Sequence, residues 1–277
     1  NDISKDDNKQ YFKLITYNVQ LFGLYNWNKN IETRDSIFNF LKNEQPDILC
    51  LQEYYERSFN GFETTSKLKN ILDAKNIHSE FSLELENGQK FGIASFLNYR
   101  IINEGRIDFE NSYNMCIYTD FLWNQDTVRL YNVHLQSVQF NEDDYNNVDS
   151  INIPSINKEK LSDYNSIVKK LYHAIKIRAK QAGKLEEHLA ESPYPVIICG
   201  DFNDTPLSFS YHQLSKGLKD AFQESGSGFA FSFKRKHLRM RIDHILHSKD
   251  FDAYNYTVKE INYSDHFPVS CIISKEK

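Results

Sequence analysis

Apolar residues in this chain fall largely into short unbroken runs closed by polar residues, and few segments show helical spacing. Such runs suit strands covered on both faces, where no solvent side imposes alternation. LITYNV (14–19) and DILCLQE (47–53) predict two of them. Between these, IETRDSIFNFLKNE (31–44) predicts a helix, and Pro46 gives it a reason to stop. A second helix is expected over 66–76, with Ser66 as its cap. Strands are expected near 81–85, 91–97, 100–109, 114–123 and 127–135. Residues 138–162 are polar, rich in Asn and Asp and aperiodic, which predicts a long loop or insertion over a site. A long helix is expected over 163–191, where Ile167, Leu171, Ala174, Ile175, Ala182, Leu185 and Leu189 stand near helical spacing. PVIICGD (195–201) predicts a strand, and a helix is expected near 208–216. RIDHIL (241–246) and FPVSCIIS (267–274) predict the last two strands.

The polar residues that close these runs carry the functional signal. Asn18, Glu53, His134 and Asp201 stand at or near the C-terminal ends of their runs, whereas Asp243 and the Asp265–His266 pair precede theirs. If the last two strands run antiparallel to the first four, all these positions gather on one rim. Singly each is weak, because Asn and Asp at strand ends are more often turn residues. Their joint occurrence in order is what counts.

Composition narrows the picture modestly. At 277 residues the chain could hold two average domains or one large sheet-rich one. No repeat or Gly/Ser/Pro linker divides it, so one domain is expected over 11–277. NDISKDDNKQ (1–10) is expected to be poorly ordered, and its start without Met suggests a fragment or a mature form. A net charge of −5 argues against a protein that coats polyanions, yet allows a nuclease whose carboxylates hold cations. Cys50, Cys116, Cys199 and Cys271 each lie in an apolar run without C-x-x-C spacing, so they are read as core residues. No run of ~18 apolar residues predicts a membrane span.

TYNVQLF, LCLQEY, YNVHLQS, CGDFNDTP, RIDHIL and YSDHFPV resemble, in order, the motifs of the endonuclease/exonuclease/phosphatase (DNase I-like) superfamily, from residue 16 to 269. CGDFNDTP and SDHFPV are the most specific. The resemblance implies an α/β fold, a four-layer α/β/β/α sandwich of two mixed β-sheets flanked by helices. TYNVQLFGLYNW further resembles a bacterial branch whose catalytic domain often follows N-terminal transmembrane segments, which would make this the soluble part of a tethered protein.

Residue by residue, the resemblance implies a divalent-metal site with Glu53 as principal carboxylate, Asn18 placing the metal or its ligands, and Asp265 as an additional carboxylate. Mg²⁺ is the expected ion, with Mn²⁺ or Ca²⁺ as substitutes. Asp201 would accept a proton from the attacking water and Asn203 would orient it. His266, with Asp243 fixing its tautomer, would act as base or stabilise phosphoryl oxygens. His134 would bond a phosphate oxygen or assist the leaving group. Arg178 and Gln181 resemble an R-x-x-Q helix pattern that supports the site. The basic run 234–241, with Arg235, Arg239 and Arg241, is read either as a solvated loop or as a phosphate-facing one. Asp204 is expected to cap the segment after it, and His78, His173, His188, His212, His237, His244 and His247 to be structural or solvated.

The function expected first is a phosphodiesterase acting on nucleic acid. A sphingomyelinase-like phosphodiesterase on lipid head groups stands close behind. An inositol or sugar phosphatase is disfavoured because RMRIDHIL replaces that group's W-C-D-R-I-L pattern. A catalytically inactive binding module is the alternative of a different class. The partner expected is the phosphoester itself, bound by a monomer.

Overall fold

Successive residues on a strand face opposite ways, so an unbroken apolar run needs a cover on both sides. In the computed structural model, which describes residues 9–24, 30–58, 61–149 and 158–276, both covers are present. In chain order the elements begin β1 (Lys9–Asn18), α1 (Asn30–Glu44), β2 (Ile48–Arg57), α2 (Thr64–Leu72), β3 (Asn76–Glu84), β4 (Gln89–Leu97), β5 (Ile101–Asp108), β6 (Met115–Trp123) and β7 (Asp126–His134). They continue α3 (Glu142–Asp149), α4 (Lys158–Ala190), β8 (Val196–Asp201), α5 (Phe209–Leu214), β9 (Lys219–Asp220), α6 (Ala221–Ser225), β10 (Phe233–Arg235), β11 (Leu238–Met240), β12 (Asp243–His247), β13 (Asp252–Val258) and β14 (Val269–Glu276).

Two mixed sheets form, ordered β13-β14-β1-β2-β4-β3 and β5-β6-β7-β8-β12-β9. Leu14, Ile48, Leu130, Ile197 and Cys271 fill the layer between them. Their neighbours face outward: Ile15 and Leu49 pack on Ile37, Leu41, Leu68 and Leu72 of α1 and α2. Tyr131 and Ile198 pack on Ala182, Leu185 and Leu214 of α4 and α5. The result is the expected helix–sheet–sheet–helix sandwich. All four cysteines are buried and free.

Several expectations need correction. Ser66 is not a cap: α2 begins at Thr64 behind Glu63, and Ser66 donates to the Glu63 carbonyl from inside the helix. That helix ends at Leu72, where Asp73 turns left-handed, and Asn76 already belongs to a strand. The aperiodic stretch 138–162 holds helix α3, whose start is closed by reciprocal bonds between Asn141 and Asp144. Its helix-start signal was local and capping-based, so the periodicity did not show it. α4 starts at Lys158 rather than 163. The basic run 234–241 is largely a two-stranded hairpin, β10–β11, and FDAYNYTV adds the unexpected edge strand β13. Of the segment expected to be poorly ordered, residues 1–8 lie outside the described residues, and Lys9 and Gln10 already pair with β14. Residues 150–157 of the expected insertion also lie outside them.

Candidate active site

β1 and β2 pair in parallel, as do β7 and β8, so the ends of all four point one way. β14 and β12 run antiparallel to them and begin where they end. Asn18, Glu53, His134, Asp201, Asp243 and His266 therefore converge on one rim, as their places in the sequence predict. Asp201 is the central position, facing His134 on one neighbouring strand and Asp243 on the other.

Local backbone features aim these side chains. Gly200 has φ +136°, and a Cβ there would lie 2.0 Å from the Val133 carbonyl oxygen, so only glycine lets β8 approach β7 beside Asp201. In β2 the pairing with β4 shifts between Leu51 and Tyr54, and Glu53 takes φ 48°. A bulge re-aims a side chain, and left-handed backbone at a non-glycine residue costs roughly 1–3 kcal/mol. The strain falls on the residue expected to hold the metal. Asn203 is also left-handed, at φ 52°.

The hydrogen bonds form one network. Asn18 Nδ2 donates to Glu53 Oε1 at 3.2 Å and to Asp201 Oδ2 at 3.0 Å, joining the two sheets. The Asn203 amide N–H donates to Asp201 Oδ1 at 2.8 Å, and its side chain to Asp201 Oδ2 at 3.1 Å and the Leu135 carbonyl at 3.0 Å. His266 Nδ1 lies 2.9 Å from Asp243 Oδ2, and its Nε2 lies 3.6 Å from Asp201 Oδ2. His134 Nε2 is 3.7 Å from the same oxygen. Ser264 Oγ donates to the Asn18 carbonyl and accepts from the His266 N–H, holding Asp265–His266 against β1.

The electrostatics follow from burying charge. Burial pushes Asp201 up to about 6; Asp243 adds to this, and His266, His134 and Asn18 oppose it. Burial likewise raises Glu53, opposed by His266 and Asn18 and helped by Asp265 and Asp243. For His266 burial works downward, but Asp243 and Asp201 win and hold the ring protonated well above its ordinary range. Burial lowers His134 despite the pull of Asp201. The rim thus gathers Glu53, Asp201, Asp243 and Asp265 around one imidazolium.

That imbalance fits a hard cation. Among the described residues the hydrogen bond to the Glu53 carboxylate comes from the neutral Asn18 amide, and no ion pair reaches it. Ligand atoms of Asp201, Asp243 and His266 also lie within 4.8 Å of one another and could hold an ion. Of these, His266 and Asp243 are bonded to each other at 2.9 Å and Asp201 is held by Asn18 and Asn203, with Asp243 Oδ1 left unpaired among the described residues, so the oxygens of Glu53 and Asp265 are the better free ligands.

Glu53, Asp201, Asn203, Asp265 and His266 line one cavity of about 270 Å³, walled by Phe140, Tyr145, Phe233, Leu238 and Met240. Arg235 also lines it, 4.0 Å from Asp265. The other basic candidates stand elsewhere. Arg178 is buried and holds Asp204 and the Gln136 carbonyl, while Gln181 accepts from the Gln136 N–H, so this pair braces the segment after β7. Arg239 faces Glu260 away from the cavity. Arg241 is buried against Asp220 at 3.0 Å and over the Phe222 ring, a setting that leaves no guanidinium face for substrate. Asp204 caps nothing; Ser208 caps α5. His244 is buried with Nε2 on the Asp204 carbonyl, and burial pushes it down to about 4.

Sequence reasoning missed the polar seam beneath the rim. Gln52 Nε2 donates to Asn132 Oδ1 at 2.6 Å, and Asn132 Nδ2 donates to the Ala94 carbonyl at 2.9 Å. Both residues stood inside quoted motifs, one or two places before Glu53 and His134, where a polar residue in an apolar run asked for a partner. It also missed Tyr145 and Phe140, which only the fold brings to the cavity.

Two facing mixed sheets with acids, an amide and histidines on one rim define the DNase I-like architecture. The Endonuclease/Exonuclease/phosphatase family description matches residues 15–266, and the chain belongs to that family. Its members are generally phosphoester hydrolases. No curated protein matches the sequence. Among solved structures, an endonuclease/exonuclease/phosphatase family protein from Bacteroides thetaiotaomicron is similar at TM-score 0.71 and 16% identity, with 97% of this chain and 99% of that one covered. Truncated TDP2 from Caenorhabditis elegans is similar at 0.66 and 19%, covering 95% and 97%. An endonuclease/exonuclease/phosphatase from Beutenbergia cavernae is similar at 0.68 and 14%, covering 96% and 72%. At these identities the likeness is one of fold. No helix among the described residues is long and apolar enough to cross a membrane.

Proposed function

We propose that the chain is a divalent-metal-dependent phosphodiesterase acting on nucleic acid. The observation that carries this is the charge imbalance on the rim, where four carboxylates face one imidazolium and an Arg235 guanidinium shared with Glu142, and a strained bulge aims Glu53 into the cavity. Glu53 and Asp265, with Asn18 behind them, would hold Mg²⁺, which supplies positive charge to the phosphate and to the leaving oxygen. Asp201, pushed up to about 6, is poised near operating pH to take the proton of water, while Asn203 fixes its direction. His266, kept charged by Asp243, faces the developing charge on phosphoryl oxygens. His134, kept neutral by burial, donates a hydrogen bond to a non-bridging oxygen.

A lipid head group is the second reading, favoured by Leu207 and Phe209, which are 91% and 64% exposed just after the Asp201–Asn203 segment. The test is one panel with and without EDTA: plasmid DNA, abasic duplex, RNA, sphingomyelin, inositol phosphates and a chromogenic diester. Turnover of a nucleic acid, abolished by EDTA and by His266→Ala, is expected. Silence across the panel with Mg²⁺ or Mn²⁺ present would sink the enzyme reading.

A further inference from the structure

The cavity over Asp201 is arched. The chain leaving β7 and the hairpin leading into β12 come from the two strands that flank β8, and they meet across its end. Arg235 makes the join: its guanidinium pairs with Glu142 of α3 and lies 4.2 Å from the centre of the Tyr145 ring. Lys236 adds contacts to Glu142 at 3.5 Å and to Asn146. The hairpin is also tied to the catalytic segment, because the Lys234 N–H donates to the Asp265 carbonyl at 2.9 Å. Phe233 bridges to His266 and packs edge-on against its ring, 5.0 Å between centres.

This arrangement limits what reaches the rim. A polymer cut internally must run through a site open at both ends, and the tie from Arg235 and Lys236 to α3 crosses one side of this one. The space beneath it, about 270 Å³, falls just under the ~300 Å³ at which sites for small organic ligands begin. It suits one small group and excludes a helix of paired bases. Its walls include the rings of Phe140 and Tyr145. Arg235 covers one face of Tyr145 and Phe140 meets Tyr145 edge to face, so the pair offers a base one face at most. Any base stacks there because every base has a π-face.

On the reading that nucleic acid is the substrate, we propose that the arch restricts this enzyme to strand ends. The terminal nucleotide of a single strand enters the cavity with its base against Tyr145 and Phe140. Its phosphodiester then lies over Glu53 and Asp265. The oxygen of water attacks phosphorus as Asp201 takes its proton. The P–O bond to the neighbouring sugar breaks, and the leaving oxygen takes a proton from solvent. The products are a mononucleotide and a strand one residue shorter, and Asp201 returns its proton to solvent.

The experiment compares an internally labelled single strand with its covalently closed circle of identical sequence, in Mg²⁺ or Mn²⁺. The wild-type chain should shorten the linear strand stepwise and spare the circle. The Glu142→Ala/Lys236→Ala variant loosens the arch at two solvent-accessible positions outside the catalytic rim. It should raise the circle-to-linear rate ratio at least about tenfold, a readout that loss of folded protein does not move. Equal cutting of circle and line by the wild type overturns the arch's role and leaves the nuclease reading standing. An unchanged ratio in the variant overturns it as well. No cutting of either, whether or not sphingomyelin is turned over, overturns both.

Discussion

Asp120 and Asp201 are both 1% exposed and belong to the same sheet, yet their surroundings differ. Asp120 faces Arg129 across β6 and β7, and the guanidinium grips both its oxygens at 2.6 and 2.8 Å while Asn103 donates a third bond. Arg129 in turn lies over the Tyr118 ring at 4.7 Å. Asp201 has no guanidinium. Its partners are two amides and two histidines, and other carboxylates crowd it. A buried anion kept for the fold is matched by a cation, whereas one kept for chemistry is left short of positive charge.

The largest effect that would break this comparison concerns Glu53. Glu53→Gln keeps the shape and removes the charge, and phosphodiester turnover should fall by at least about 10³-fold, measured under saturating Mg²⁺. The melting temperature should hold or rise, because the rim loses a repulsive charge. A substantial fall in melting temperature would place Glu53 with Asp120 instead.

Next comes the matched pair itself. Arg129→Ala leaves a buried carboxylate without its cation, with only the Asn103 amide on it, and should cost about 3–5 kcal/mol in urea unfolding. Turnover per folded molecule should stay within about twofold of wild type. Lost turnover without lost stability would mean that the far end of the sheet is part of the site.

The smallest effect is the most diagnostic. Burial raises Asp201 in the folded protein from 3.8 to about 6, so its stabilising contribution is present at low pH and is lost as pH rises through that interval. Asp201→Asn should therefore gain on the order of 2–3 kcal/mol at pH 7.5 in EDTA, and nothing below about pH 4. A variant that loses stability at neutral pH would show that Asp201 is matched after all.

Much of this contrast was legible in the chain. Strand runs ending in Asn18, Glu53, His134 and Asp201 reported both the fold and the rim, because a polar residue closing a doubly buried strand has few other places to go. The cavity wall was not legible. Tyr145 lies on a short helix marked only by the Asn141–Asp144 box, and Arg235 sits in a hairpin whose charges masked its pairing. Arg241 looked like its neighbours in the basic run, yet burial against Asp220 gives it a different task. Local spacing reports which face a residue takes on its own element, whereas tertiary approach decides what that face meets.

The seam of Gln52 and Asn132 has one more consequence. Asn18 and Glu53 hang from one sheet and His134 and Asp201 from the other, so the rim belongs to two halves of a hinge-less vise. Their spacing is set a residue or two below the jaws, by a 2.6 Å amide contact buried in the apolar layer. Alignment of the chemistry is then a property of the mating surface between the sheets. On the proposed function, whatever lets the sheets slip, before any strand melts, disarms the site.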